Sequence, residues 1–235
     1  MYYVGIDDTD IANSPGTNKL ARHLIDRLAP EYRSRVAIRH QLLFDPRIPY
    51  TSKNSSASIL LEGQAEGSVA ELADRVRRVM EDWFIAGSDP GLCVTDRVPE
   101  PITAFGLRCQ REVVCQEEAR HLAARHSIFL KGLGGTEGGV IGALAAVGLA
   151  AGGNDGRVVS IGHWPDDLAG PQDVAVLRAR GVGEIRCLPT GESIAHGTVD
   201  VGKHLRPNYR DADITLFVEP GPPETGASWR AVRLL

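Results

Sequence analysis

Residues 2–29, YYVGIDDTDIANSPGTNKLARHLIDRLA, decide how the rest of the chain is read. The apolar opening over 2–6 has the length and composition of a short buried strand. Over residues 17–29, Leu20, Leu24 and Leu28 fall with Ala21 and Ile25 on one helical face, and Pro30 ends the helix. Between strand and helix stand Asp7, Asp8 and Asp10, three carboxylates in four positions. A strand, an acidic loop and a helix in succession are the start of a mixed α and β fold.

Carboxylates at the carboxyl end of a strand lie where α/β proteins bind ligands. Crowded there they repel one another unless protons or a cation neutralise them. Mg²⁺ is the natural cation, being hard, oxygen-seeking and commonly shared between one or two carboxylates and nucleotide phosphates. Asp8 or Asp10 capping the next turn, with Asp7 solvated, is the plainer alternative. The loop Ser14-Pro15-Gly16-Thr17 leads into a helix start, whose N–H groups and positive dipole end suit a phosphate. Thr17 can equally be an ordinary N-cap.

Outward from this core, residues 34–43 and 55–62 read as strands joined by the Pro-punctuated FDPRIPYTSKN. Val69, Leu72, Ala73, Val76, Val79, Met80 and Trp83 mark a second amphipathic helix. AGSDPG is a loop, followed by a short strand near residues 92–94. Pro99 and Pro101 introduce helical material that runs, with a break, through QEEARHLAARH. KGLGGTEGG, residues 131–139, opens into an apolar helix, VIGALAAVGLAA, and GRVVSIG is a further strand. This second glycine loop offers Lys131, a threonine, Gly138 and Gly139 at a helix N-terminus, without the Gly-Lys-Ser/Thr ending of a Walker A loop. A short helix at residues 173–179 and strand-like GEIRCLP, DITLFVE and WRAVRLL complete the chain. The expectation is an α+β (mixed α/β) fold with a ferredoxin-like unit. Its two regions are 1–165, carrying the nucleotide site, and a smaller β-rich 166–235.

Composition narrows the function classes. The 235 residues are 43% hydrophobic and 24% charged, values of an ordinary globular chain. A net charge of −4 gives no global attraction to nucleic acid, so an RNA contact needs a local basic patch. Four cysteines without CxxC spacing, and no secretory leader, predict reduced, mostly buried thiols and no zinc site. The longest uncharged run, residues 138–154, is too short to span a membrane, so a cytoplasmic location is expected. His40, His121, His126 and His163 have no ligand spacing. Arg47 and Lys53, between two strands, are candidates for touching a polyanion, with plain surface charge the alternative.

In order along the chain, GIDDTD, GTNKLA, RIPYTSKNSSA, DPGL and GGVIGALAAVGL resemble the archaeal tRNA-Ile agmatidine synthetases, best over residues 3–60 and 128–165. The resemblance implies an atypical kinase-like domain, built on the GIDDTD strand and IGALAA helix, beside a ferredoxin-like one. In that family Mg·ATP activates the wobble cytidine of a tRNA and agmatine displaces the activated oxygen. Carried over, Asp7, Asp8 and Asp10 would hold Mg²⁺ and the ATP phosphates and act in catalysis with Thr17. Gly16, Asn18, Lys131, Gly138, Gly139 and Gly142 would bind nucleotide, and Arg47, Lys53 and Asp89 substrate.

Three departures from the family pattern are visible. The second threonine of the phosphate turn, a phosphate acceptor in the family, is Asn18 here. The stretch K-T-R-G-N has become T-S-K-N-S, with Lys53 its only charge. The sequence stops before the family's OB-fold and zinc ribbon. The expectation is therefore a Mg·ATP-dependent phosphotransferase or ligase acting on a nucleoside, a small molecule or a tRNA held by a partner chain. A non-catalytic nucleotide-binding accessory protein of RNA metabolism is the alternative, favoured by Asn18. Asp8-Thr9-Asp10 also looks like the nucleophile motif of haloacid-dehalogenase phosphatases. That reading ranks last, because no lysine-then-acidic-pair pattern follows.

Overall fold

The computed structural model describes residues 1–48, 53–63, 67–83, 85–222 and 226–234. The middle of the Pro-punctuated connection, residues 49–52, lies outside the described residues. The first half runs β1 (Tyr2–Asp7), α1 (Thr17–Leu28), β2 (Tyr32–Gln41), β3 (Ser55–Gly63), α2 (Val69–Trp83) and β4 (Gly91–Thr95). Its strands order β4-β1-β3-β2, all neighbours antiparallel. A βαββαβ chain in that order is the ferredoxin-like arrangement.

Alternation along β1 explains why helices cover both faces. Val4 and Ile6 point to one side, into a core with Leu20, Leu24 and Leu28 of α1 and Leu72 and Val76 of α2. Tyr3, Gly5 and Asp7 point to the other. There lie α3 (Glu100–Cys109), α4 (Gln116–Arg125) and, after β5 (Phe129–Gly132), α5 (Val140–Gly152). Helix α5 is uncharged and buried nearly all round, as a helix in the centre of a protein must be. It lies against β1 backbone to backbone: a Cβ at Gly5 would overlap the Ala143 carbonyl oxygen. On its far side Gly148 sits against the Ile102 carbonyl of α3.

The sheet continues through β6 (Arg157–Ile161), paired with β2. There follow β7 (Pro171–Asp173), α6 (Val174–Ala179), β8 (Glu184–Cys187), β9 (Thr198–Asp200), β10 (Asn208–Arg210), β11 (Asp213–Pro220) and β12 (Trp229–Ala231). β10 joins β6 through the single pair Asn208↔Arg157, so the strands of the first and last parts belong to one sheet. The last part has its own apolar cluster around Leu177, Ile185, Val199, Leu216 and Val218.

The fold is α+β, as the sequence predicts. The strand read at 34–43 sits at 32–41, and the helical stretch after Pro99 is two helices, broken at residues 110–115. WRAVRLL supplies a strand only over Trp229–Ala231. β5, β7, β9 and β10 are three or four residues long and escape periodicity. Three of the four cysteines are buried and all are free. Among the described residues no helix is long and apolar enough to cross a membrane.

Candidate functional site: an acidic cavity at the sheet edge

The end of β1, the starts of β3 and β4 and the first turn of α5 meet at one edge of the sheet. A cavity of about 270 Å³ opens there. Asp7, Asp8, Asp10 and Asp89 form its acidic wall, with Thr17 beside them.

Each acid is set by local structure. Asp7 ends β1 on the α5 face, and a Cβ at Gly142 would overlap its Oδ2, so glycine at 142 is what admits the carboxylate. Asp8 turns the chain out of the strand in the left-handed region, φ 51°, a conformation that aspartate tolerates better than most residues. Thr9, buried, donates to Thr17 Oγ1 at 3.1 Å, and Thr17 Oγ1 donates to Asp10 Oδ1 at 3.1 Å. This pins the acidic loop to the first residue of α1. The loop is closed by Ser14, whose Oγ accepts from the Ile11 N–H at 2.9 Å.

Asp89 comes from the other side. Its carboxylate accepts from the Thr136 N–H, and its carbonyl accepts from the Gly139 N–H at 2.9 Å. A Cβ at Gly135 would overlap its Oδ1, and one at Gly91 the Gly139 carbonyl. The DPG turn and the glycine loop before α5 therefore interlock through residues without side chains.

The electrostatics follow from crowding. Burial pushes Asp7 up to about 8, with the negative charge of Asp8 adding to it. Asp8 is pushed up to about 6, by burial first and then by Asp89 and Asp10. The opposite wall is mostly apolar, with Leu42, Ile48, Cys109, Val114 and Ile141. Cys109 is an inert part of it, since burial lifts its thiol to about 12. Gln116 donates from Nε2 to the Thr136 carbonyl at 2.9 Å. An acidic end, an apolar wall and a size near the lower limit of small-molecule sites make a cleft suited to a ligand with a polar and an apolar half.

The cavity thus gathers eight of the residues singled out from sequence: Asp7, Asp8, Asp10, Thr17, Lys53, Asp89, Gly138 and Gly142. Gly16 stands just behind, a Cβ there being 3.8 Å from Asp10 Oδ2, and Gly139 lies beneath the Asp89 turn. Asn18 follows Thr17 in the first turn of α1, outside the lining. Lys131, on β5, is exposed and does not line the cavity. Arg47 is paired with Asp45 at 2.7 Å and faces solvent. The sequence reading missed Glu112, Val114 and Gln116, which come from the break between α3 and α4 and its edge. Nothing in their composition marks them.

The fold and this cavity define an α+β protein with a ferredoxin-like sheet and an acidic cleft at the N-terminus of a buried glycine-rich helix. Over about three fifths of its length the chain is similar to tRNA-Ile agmatidine synthetases. It is 30% identical over 152 residues to the tRNA-Ile 2-agmatinylcytidine synthetase TiaS of Archaeoglobus fulgidus, a match covering 62% of this chain and 35% of that protein. The crystal structure of TiaS in complex with its tRNA and ATP superposes with a TM-score of 0.56 at 28% identity, over 63% of this chain and 36% of that one. A structure described as a tRNA fluorescent labeling enzyme gives 0.55 at 29%, over 63% and 35%. No family model matches the chain. The chain spans about a third of the length of these relatives.

Proposed function

We propose that the protein is a Mg·ATP-dependent phosphotransferase or ligase of the TiaS type, working in the cytoplasm on a nucleoside, a small molecule or a tRNA held by a partner chain. The observation that carries this reading is the convergence of Asp7, Asp8, Asp10, Asp89 and Thr17 on one cavity at the start of α5. The same region is similar to a structure solved with ATP and tRNA.

The residues fit Mg²⁺. The donors are hard carboxylate oxygens, and the raised Asp7 and Asp8 pKa values express a repulsion that a divalent cation relieves. Among the described residues no group of three Asp, Glu, His or Cys side chains is placed to hold a metal ion by itself. That suits an ion which keeps only one or two protein carboxylates and takes its other oxygens from phosphates and water. One or two of Asp7, Asp8 and Asp10 would hold it, and it would supply neutralisation of phosphate charge.

The chain's own groups provide the rest. Thr17 opens α1 and Gly138, Ile141 and Gly142 lie at the start of α5, so the positive dipole ends of both helices lie at the cavity. Asp10 accepts the Thr17 hydroxyl and orients it. A carboxylate among Asp7, Asp8 and Asp10 takes the proton of the acceptor hydroxyl. The apolar wall keeps water away, which strengthens each of these interactions.

The test is Mg-dependent ATP consumption with cytidine, agmatine and tRNA offered as acceptors, comparing the native protein with Asp8→Asn. Turnover lost in the variant supports the proposal. ATP bound with no turnover under any acceptor selects the second reading, a nucleotide-binding accessory protein, which Asn18 favours because an amide cannot accept phosphate. No ATP binding at all overturns both.

A further inference from the structure

A second charged cluster lies two strands from the acids, on the opposite face of the sheet from α5. Arg39 of β2 and Arg157 of β6 are cross-strand partners in the antiparallel register. Residues directly opposite in such a pair project from the same face. Arg39 Nε donates to Ser55 Oγ at 3.1 Å, and Ser55 itself lines the acidic cavity. Arg206 and Arg233, near β10 and beyond β12, are close enough for their charges to act on Arg157. Burial and then the charge of Arg157 lower the Arg39 pKa, and burial followed by Arg206 and Arg233 lowers that of Arg157. These guanidinium groups crowd one another.

Only one of them is balanced within the described chain. Arg206 is taken up by Asp166, at 2.7 and 2.6 Å. Arg39, Arg157 and Arg233 form no ion pair among the described residues, and the buried Nε of Arg157 has no hydrogen-bond partner. An unpaired buried guanidinium N–H is expensive. Arginine presents a fork of donors matched to phosphate oxygens.

We propose that Arg39, Arg157 and Arg233 form a binding site for a phosphate group carried by the acceptor, reached from the acidic cavity across Ser55. The inference rests on the reading of that cavity as the reaction centre, and it narrows the acceptor to a phosphate-bearing molecule. The phosphate is either a monoester on a nucleotide-sized molecule or a diester in an RNA strand. The two share the chemistry of recognition and differ in size.

Binding is measured without ATP or Mg²⁺, so the outcome is independent of whether the acidic cavity turns over ATP. The probes are cytidine 5′-monophosphate, with cytidine as control, and a fluorescein-labelled single-stranded RNA hexamer. With Arg157→Gln and Arg39→Gln, affinity for the bound probe is expected to fall about tenfold or more, the loss of a hydrogen bond to a charged group. Arg157→Lys is expected to recover part of it.

Monophosphate bound in preference to cytidine identifies the small-molecule source. A bound hexamer whose logarithmic salt slope falls by about one per arginine removed identifies the strand. Should Arg157→Gln fail to fold, Arg233→Gln on the exposed C-terminal segment makes the same test. Neither probe binding the native protein, or equal affinity in all variants, overturns the proposal.

Discussion

The sheet carries acids at the end of β1 and just before β4, and arginines across β2 and β6, and neither group neutralises the other. At the acidic edge, burial and mutual repulsion raise Asp7 and Asp8 to about 8 and about 6. Across β2 and β6 the same two causes lower Arg39 and Arg157. Elsewhere charges are paired in the ordinary way, as in Arg77 with Asp74 and Glu81, or Arg180 with Asp167. Folding alone would favour interleaving the two signs. Keeping them apart costs stability, and charge held apart at such a cost is commonly a binding device.

The sharpest way to break this contrast is Asp7→Asn or Asp8→Asn. ATP turnover, followed by nucleotide product release, is expected to fall about 10²–10³-fold, the scale of losing one preorganised electrostatic group. Above about pH 8, where both carboxyls are ionised in the fold, the same variants are expected to melt higher than the native protein in the absence of ligand, since each removes an uncompensated charge. A variant that is both inactive and less stable would mean that Asp7 and Asp8 serve packing rather than phosphate chemistry.

Next in size is the pH dependence of the ligand-free protein. Asp7 holds its proton in the fold up to about pH 8 and loses it near its ordinary 3.8 when unfolded. The folded state therefore binds more protons in that window, and stability must fall as pH rises from about 4 to about 8. Each unit of displacement corresponds to about 1.4 kcal/mol. Thermal melts at pH 5 and pH 8 check the slope, and Asp7→Asn is expected to flatten it.

Gly142→Ala places a methyl group against the Asp7 carboxylate and is expected to cost about 1–3 kcal/mol, as overpacking does. At Gly138 the nearest atom to a Cβ is Thr136 Oγ1 at 3.5 Å. Gly138→Ala is expected to change stability by less than about 1 kcal/mol. Denaturant titration of the pair separates the two glycines at the start of one helix. Smallest of all, Arg157→Gln relieves repulsion within the arginine cluster and is expected to raise the ligand-free melting point slightly. Its gain should be about 0.5 kcal/mol at low salt and less as salt screens the cluster.

The strand–loop–helix at the N-terminus was legible because apolar period, acidic spacing and the Gly-Thr helix start agree over a single short stretch. The four-strand unit was legible for a similar reason: two helices with clean 3.6-residue periodicity separate its strands. The short strands of the last part were not, because three residues carry no period. The far wall of the cavity was equally silent in sequence. Leu42, Cys109 and Val114 look like any core residues until topology sets them opposite the acids. The arginine cluster was hidden for another reason. Arg39 and Arg157 are 118 positions apart, and only the β2–β6 register makes them neighbours.

The glycines beneath the cavity have a consequence for how this protein can diversify. Gly91, Gly139 and Gly142 meet their neighbours with no room for even a methyl group, so the floor is fixed in shape. A change in what the cleft accepts is then written in the side chains that line it, such as Leu42, Ile48, Val114 and Gln116. Substituting those four positions is the route by which related chains, or a designer, could redirect the chemistry to another acceptor.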